Sequence, residues 1–117
     1  MRALNRLAEL EKEEERKMKI VAVTACPTGI AHTYMAAAEL KKAAQQAGIH
    51  INVETQGAMG IENPLSVMDI ARADVVLIAS DIEIEDRARF TGSKIHCVTI
   101  EEVLTDPVSV LERCKTL

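Results

Sequence analysis

The sequence predicts an α/β fold: a single domain on an open four-stranded parallel sheet, order 2-1-3-4, with helices on both faces in a Rossmann-like arrangement. Two apolar runs of strand length, Ile20-Val21-Ala22-Val23 and Val75-Val76-Leu77-Ile78-Ala79, show no polar alternation, as strands buried on both faces require. Segments with helical spacing separate the strands, and Gly or Pro stands at the junctions. Strands alternating with helices form a parallel sheet through right-handed crossovers.

Residues 1–17 carry five Glu, two Lys and three Arg around a short stripe of Leu4, Leu7 and Leu10, which reads as a charged helical extension or linker. The domain is expected over 18–117. Its first strand, from about Ile20, ends in Thr24-Ala25-Cys26. Ala36, Leu40, Ala43, Ala44 and Ala47 then mark the buried face of a crossover helix that Gly48 stops. Ile49, Ile51 and Val53 alternate with His50, Asn52 and Glu54, the pattern of an edge strand with one wetter face. Asn63-Pro64 is expected to open a second helix running to about Ala73. After the third strand, Glu83 to Phe90 reads as a short helix closed by Gly92, and Ile95-His96-Cys97-Val98 as the fourth strand. Thr99 and Glu102 form a capping box, and Asp106-Pro107 starts a last helix packed through Val110, Leu111, Cys114 and Leu117.

Composition narrows the function. The 117 residues include 18 acidic and 14 basic side chains, a net charge of -4, and only Tyr34 and Phe90 are aromatic. This disfavours nucleic acid and anionic membrane as partners, and aromatic platforms for sugars or single-stranded bases. No apolar run approaches the roughly 18 residues of a membrane span, and the charged opening has no signal-peptide core, so a cytoplasmic protein without membrane insertion is expected. Cys26, Cys97 and Cys114 are too widely spaced for a disulfide framework or a zinc site. No metal is expected, and with neither a dinucleotide fingerprint nor a Walker loop, no cofactor either.

Ligands of open parallel sheets bind beyond the carboxyl ends of the strands at the topological switch point. There lies the loop Cys26-Pro27-Thr28-Gly29-Ile30-Ala31-His32-Thr33. Its backbone amides, other than that of Pro27, can converge on an anion, and the following helix N-terminus adds positive potential. The same field favours thiolate, which makes Cys26 the expected nucleophile, while Gly29 lets the loop turn tightly. The spacing resembles that of low-molecular-weight cysteine phosphatases, in which an arginine follows the nucleophile by six positions, but His32 stands there. Without the bidentate guanidinium, such a loop should hold and pass on a phosphoryl group more readily than hydrolyse it.

The eight-residue loop resembles the active-site signature of the fructose-type enzyme IIB domains of the bacterial phosphoenolpyruvate-dependent sugar phosphotransferase system. Val53-Glu54-Thr55-Gln56-Gly57, with Gly60 and Asn63-Pro64-Leu65, is similar to a second motif of that family, and Asp81 with Arg89-Phe90-Thr91-Gly92-Ser93-Lys94 to a third. The resemblance covers residues 18 to about 117. It implies a phosphoryl carrier in which Cys26 takes phosphate from a phosphohistidine of a IIA partner and delivers it to a sugar bound by a membrane IIC partner. A phosphatase-like or arsenate-reductase-like enzyme is the alternative.

Within the site, His32 is read as hydrogen-bonding the phosphoryl group or thiolate. Pro27, Thr28, Gly29, Ile30, Ala31 and Thr33 form the phosphate-binding loop, Thr33 being equally placed to cap the helix. Gln56 and Gly57 are expected beside it. His50 and His96 build no metal site, Cys97 and Cys114 read as core thiols, and Arg87 and Arg89 as solvated or partner-docking residues.

Overall fold

A computed structural model describes residues 17–27 and 30–117. The predicted extension, apart from Lys17, and Thr28 and Gly29 of the loop lie outside the described residues. Strand β1 spans Lys19–Ala25, followed by helix α1 (Ala31–Ala47), strands β2 (His50–Gly57) and β3 (Gly60–Glu62), and helix α2 (Val67–Arg72). Strand β4 (Val75–Ser80), a 3-10 turn (Arg87–Phe90), strand β5 (Ile95–Val98) and helices α3 (Ile100–Thr105) and α4 (Pro107–Lys115) complete the domain.

The sheet order is β3-β2-β1-β4-β5. Strands β2, β1, β4 and β5 are mutually parallel and reproduce the expected 2-1-3-4 order. The fifth strand corrects the expectation: β3 pairs antiparallel with β2, Thr55 beside Glu62 and Gly57 beside Gly60, so the sheet is mixed. Ala58 and Met59 make the two-residue turn, and Gly60 takes φ 88°, a conformation that glycine adopts without a Cβ penalty. Strand β2 is consequently an interior strand, and Glu54, expected on its wet face, is wholly buried.

One face of β1 and β4 (Ile20, Ala22, Leu77, Ala79) packs under α1, α3 and α4 through Leu40, Val103, Val110 and Leu111. The other (Val21, Val23, Val76, Ile78) meets Leu65, Ile70, Ile84 and Phe90. Two covered faces explain the unalternating strands. With so few aromatics, α1 presents Ala36, Ala37, Ala43 and Ala44 to the sheet, and small side chains let helix and sheet approach closely. Gly48, at φ 71°, ends α1 in the left-handed conformation with its N–H on the last carbonyls.

Three local expectations are corrected. Helix α2 begins at Val67 rather than at Asn63-Pro64, because Ser66 and Asp69 form a reciprocal capping box while Asn63 turns the chain at φ 52°. The segment expected as a helix from Glu83 contains only the 3-10 turn, since Asp86 at φ 59° leaves the helical region. Ala47, Cys97 and Leu117 are exposed rather than core. The capping box at Thr99 and Glu102 and the proline start of α4 stand as expected.

Among the described residues, packing against the core begins at the half-buried Met18, and full burial at Ile20. Removing residues 1–16 should therefore leave cooperative unfolding intact, with a melting temperature within about 4 °C of the full chain, the scale of surface changes in a domain this small. Thermal circular dichroism of the two chains checks this, and loss of the transition would make the opening segment part of the fold.

Candidate functional site

The carboxyl ends of β1, β2 and β4 open on a cavity of about 310 Å³. Cys26 and Pro27 contribute from the end of β1, Gln56, Gly57 and Ile61 from the β2–β3 hairpin, and Ile82, Glu83 and Glu85 from the loop after β4. A wider groove of about 580 Å³ between α2 and residues 91–94 is lined, among the described residues, by neither cysteine nor histidine.

Cys26 follows the last residue of the central strand and is 5% exposed. Its sulfur accepts a hydrogen bond from the Thr33 hydroxyl at 3.1 Å. Thr33, in the first turn of α1, is itself fully buried, and its carbonyl accepts from the Thr24 hydroxyl at 3.1 Å. Thr24, in β1, and Cys26, just past its end, both bond Thr33, so strand end and helix start are tied twice. The helix boundary residue is Ile30, which has no hydroxyl or carboxylate for a cap, and Thr33 spends its hydroxyl on the sulfur.

Of the residues read from the sequence, the structure thus gathers Cys26, Pro27, Thr33, Gln56 and Gly57. Ile30, Ala31 and His32 are exposed and lie outside the residues lining the cavity. Gln56 lines it, but both amide hydrogens are engaged: Nε2 donates to Glu54 Oε2 at 2.9 Å and to the Glu85 carbonyl at 3.1 Å, while Oε1 accepts from the Glu85 N–H at 2.7 Å. The side chain fastens the end of β2 to the loop after β4.

That fastening belongs to a buried network that the sequence reading missed. Arg89 reaches the Glu54 carboxylate with both terminal nitrogens, Nη1 to Oε1 at 2.7 Å and Nη2 to Oε2, while the Leu65 N–H donates to Oε1 at 2.9 Å. Arg89 also donates from Nε to the Asp86 carbonyl at 3.0 Å and lies over the Phe90 ring. It is therefore neither solvated nor free for docking. Burial pushes the Glu54 pKa up, but Arg89, Gln56 and the Leu65 amide outweigh it and hold the carboxyl below its ordinary value. The alternation of β2 conceals this residue, because the guanidinium arrives from 35 positions away.

The other two cysteines stand apart. Burial pushes the Cys114 thiol up to about 11, so it stays protonated near neutrality. Cys97 is exposed on β5, with Arg87 3.9 Å from its sulfur. Asp81, from the third motif, accepts from the Ile100 N–H at 3.3 Å and steadies the start of α3.

Comparison with known proteins identifies the family. The family described as "PTS system, Lactose/Cellobiose specific IIB subunit" matches residues 21–113. This chain belongs to that IIB family. The "PTS system fructose-like EIIB component 2" of Escherichia coli K12 is 45% identical over 95 residues, which are 81% of this chain and 90% of that protein. The "PTS system fructose-specific EIIB'BC component" of Rhodobacter capsulatus is 45% identical over 98 residues, 84% of this chain but 17% of that larger protein. The crystal structure of a domain from a fructose-specific iiabc component of Borrelia burgdorferi superposes with a TM-score of 0.82 at 40% identity, covering 86% of this chain and 96% of that one. The chain is a phosphotransferase-system IIB component of the fructose-like kind, a phosphoryl carrier. The phosphatase-like and arsenate-reductase-like alternative falls with that membership. No described helix is long and apolar enough to cross a membrane.

The Glu54–Arg89 pair gives a stability test. Arg89→Leu leaves a buried carboxylate without its counter-charge and should cost about 3–5 kcal/mol. Because the folded pKa of Glu54 lies below its unfolded value of about 4.3, its stabilisation is present above that value and is lost as pH falls through the folded pKa. Urea denaturation between about pH 7 and pH 3 should show a steeper acid loss in the wild type than in Glu54→Gln. Parallel slopes would contradict it.

Proposed function

We propose that Cys26 is the residue phosphorylated during carriage, and that the domain occupies residues 18–117. The observation that carries the assignment is a buried thiol at the carboxyl end of the central strand, bordering a cavity and hydrogen-bonded by Thr33. The donor in this reading is a phosphohistidine of a IIA protein, and the acceptor a fructose-like sugar held by a membrane IIC protein. The names of relatives that carry EIIBC in one chain support such partners. A carrier meeting both partners works on the cytoplasmic side.

The chemistry follows from the placement. The thiolate attacks phosphorus in line with the departing imidazole nitrogen, the S–P bond forms, and the electron pair of the P–N bond stays on the donor. The N-terminus of α1 favours negative charge near the sulfur and on the transferred group. Ile61 and Ile82, exposed residues that line the cavity with Cys26, give a partner apolar surface to cover, excluding water while the group moves. Pro27, Thr28, Gly29, Ile30, Ala31 and Thr33 form the loop that receives the phosphoryl group, with Gln56 and Gly57 as its neighbours across the cavity. No metal or cofactor takes part. His32, exposed in the first turn of α1, meets the phosphoryl group from the solvent side.

Cys26→Ser should fold and fail to gain a phosphoryl group from phosphorylated IIA, since a serine hydroxyl has no comparable anion near neutral pH. Intact mass before and after the relay reads this directly, and a phosphorylated serine variant would reject the thiol requirement. His32→Ala should retain the fold and slow single-turnover transfer by roughly 10- to 1000-fold, the range for one lost stabilising donor. Transfer at the wild-type rate would leave His32 a surface residue.

A further inference from the structure

We propose that Thr33 is a catalytic residue of the carrier: its hydroxyl donates to the Cys26 sulfur and stabilises the negative charge that sulfur holds before loading and regains on delivery. The inference rests on Cys26 being the phosphorylated residue and adds the group that tunes it.

The geometry is specific. Thr33 Oγ1 lies 3.1 Å from Cys26 Sγ, and both residues are buried, at 0% and 5% exposure. A threonine in the first turn of a helix has other uses for its hydroxyl, as a cap or as a donor to the carbonyl of the preceding turn. Here the side chain, directed like other helical side chains toward the helix N-terminus, meets the end of β1 instead. Thr24 holds it there by donating to the Thr33 carbonyl at 3.1 Å. Nucleophile, donor and donor support are thus locked together before any phosphate arrives.

A neutral thiol is a weak acceptor, whereas a thiolate accepts strongly, so a donor aimed at sulfur favours the charged form. The sulfur has little contact with water, so protein donors take the place of hydration without reorganising during reaction. In loading, a sulfur lone pair forms the S–P bond and the donor P–N bond breaks with its pair left on the imidazole nitrogen. In delivery, the acceptor hydroxyl oxygen forms the O–P bond, the S–P pair returns to sulfur, and the hydroxyl proton passes to a basic side chain of the acceptor protein. Sulfur is charged before the first step and after the second, and the Thr33 hydroxyl faces it in both.

The test separates this role from packing. Thr33→Val removes the hydroxyl at nearly constant volume, Thr33→Ala removes it without the second branch, and Thr33→Ser keeps it. Alkylation of Cys26 by iodoacetamide across pH, resolved by peptide mass from Cys97 and Cys114, reports thiolate formation without any phosphoryl donor. Glu83 and Glu85 share the cavity and His32 stands at the start of α1, and all three are unchanged in every variant. Thr33→Val and Thr33→Ala should move the alkylation midpoint upward by about one pH unit and slow single-turnover delivery about 10- to 100-fold, with Thr33→Ser within about threefold of wild type. Wild-type midpoints and rates in both hydroxyl-less variants would overturn the proposal. Phosphate found on a residue other than Cys26 would instead reject the acceptor assignment, and the alkylation profile would still decide whether Thr33 governs the thiol.

Discussion

A carboxylate buried without partners is among the most costly groups a small domain can hold, and Glu54 is wholly buried. Its requirement for partners organises the functional end of the molecule. Arg89 must come from the 3-10 turn, Leu65 must present its amide before α2, and Gln56 must lie along β2. Gln56 in turn holds the backbone of Glu85, and Arg89 the carbonyl of Asp86. The loop after β4 and the β2–β3 hairpin, which wall the cavity opposite Cys26, are thereby positioned by one charge. Such a network suits a carrier, whose cavity must keep its shape whether or not a phosphoryl group is present.

The other half of the site is held by weaker, neutral bonds. Thr24 and Thr33 tie the central strand to α1 and aim a hydroxyl at the sulfur. Alanines on α1 bring that helix down onto the sheet, so its positive end sits beside the thiol. With no arginine inside the loop, the proposed phosphoryl site would rest on backbone amides, the helix dipole and uncharged donors. That balance favours reversible transfer between partners over tight retention, consistent with membership in a family of phosphoryl carriers.

The parallel core was legible because Ile20 to Val23 and Val75 to Ala79 are short, rich in β-branched residues and lack alternation, as doubly covered strands do. Strand β3 was not, since three residues are too few for periodicity and its pairing depends on the turn at Ala58-Met59. Asn63-Pro64 looks like a helix start, but the capping box at Ser66 and Asp69 is the stronger local signal and prevailed. In the site, Cys26 and its loop stood out at the switch point. The pairing of Glu54 with Arg89 did not, because alternation in β2 assigns Glu54 to solvent and only tertiary contact brings the arginine. For Thr33 the sequence offered a place in the phosphate-binding loop or a helix cap, and the structure turns its hydroxyl to the Cys26 sulfur.

In the proposed carrier, one sulfur holds the phosphoryl group. Phosphorus NMR of the chain after phosphorylation by the IIA relay addresses it most directly, because coupling identifies the atom to which phosphorus is bonded. A single resonance coupled to the β-protons of Cys26 is the expected result. A resonance coupled to imidazole protons of His32, His50 or His96 would contradict it.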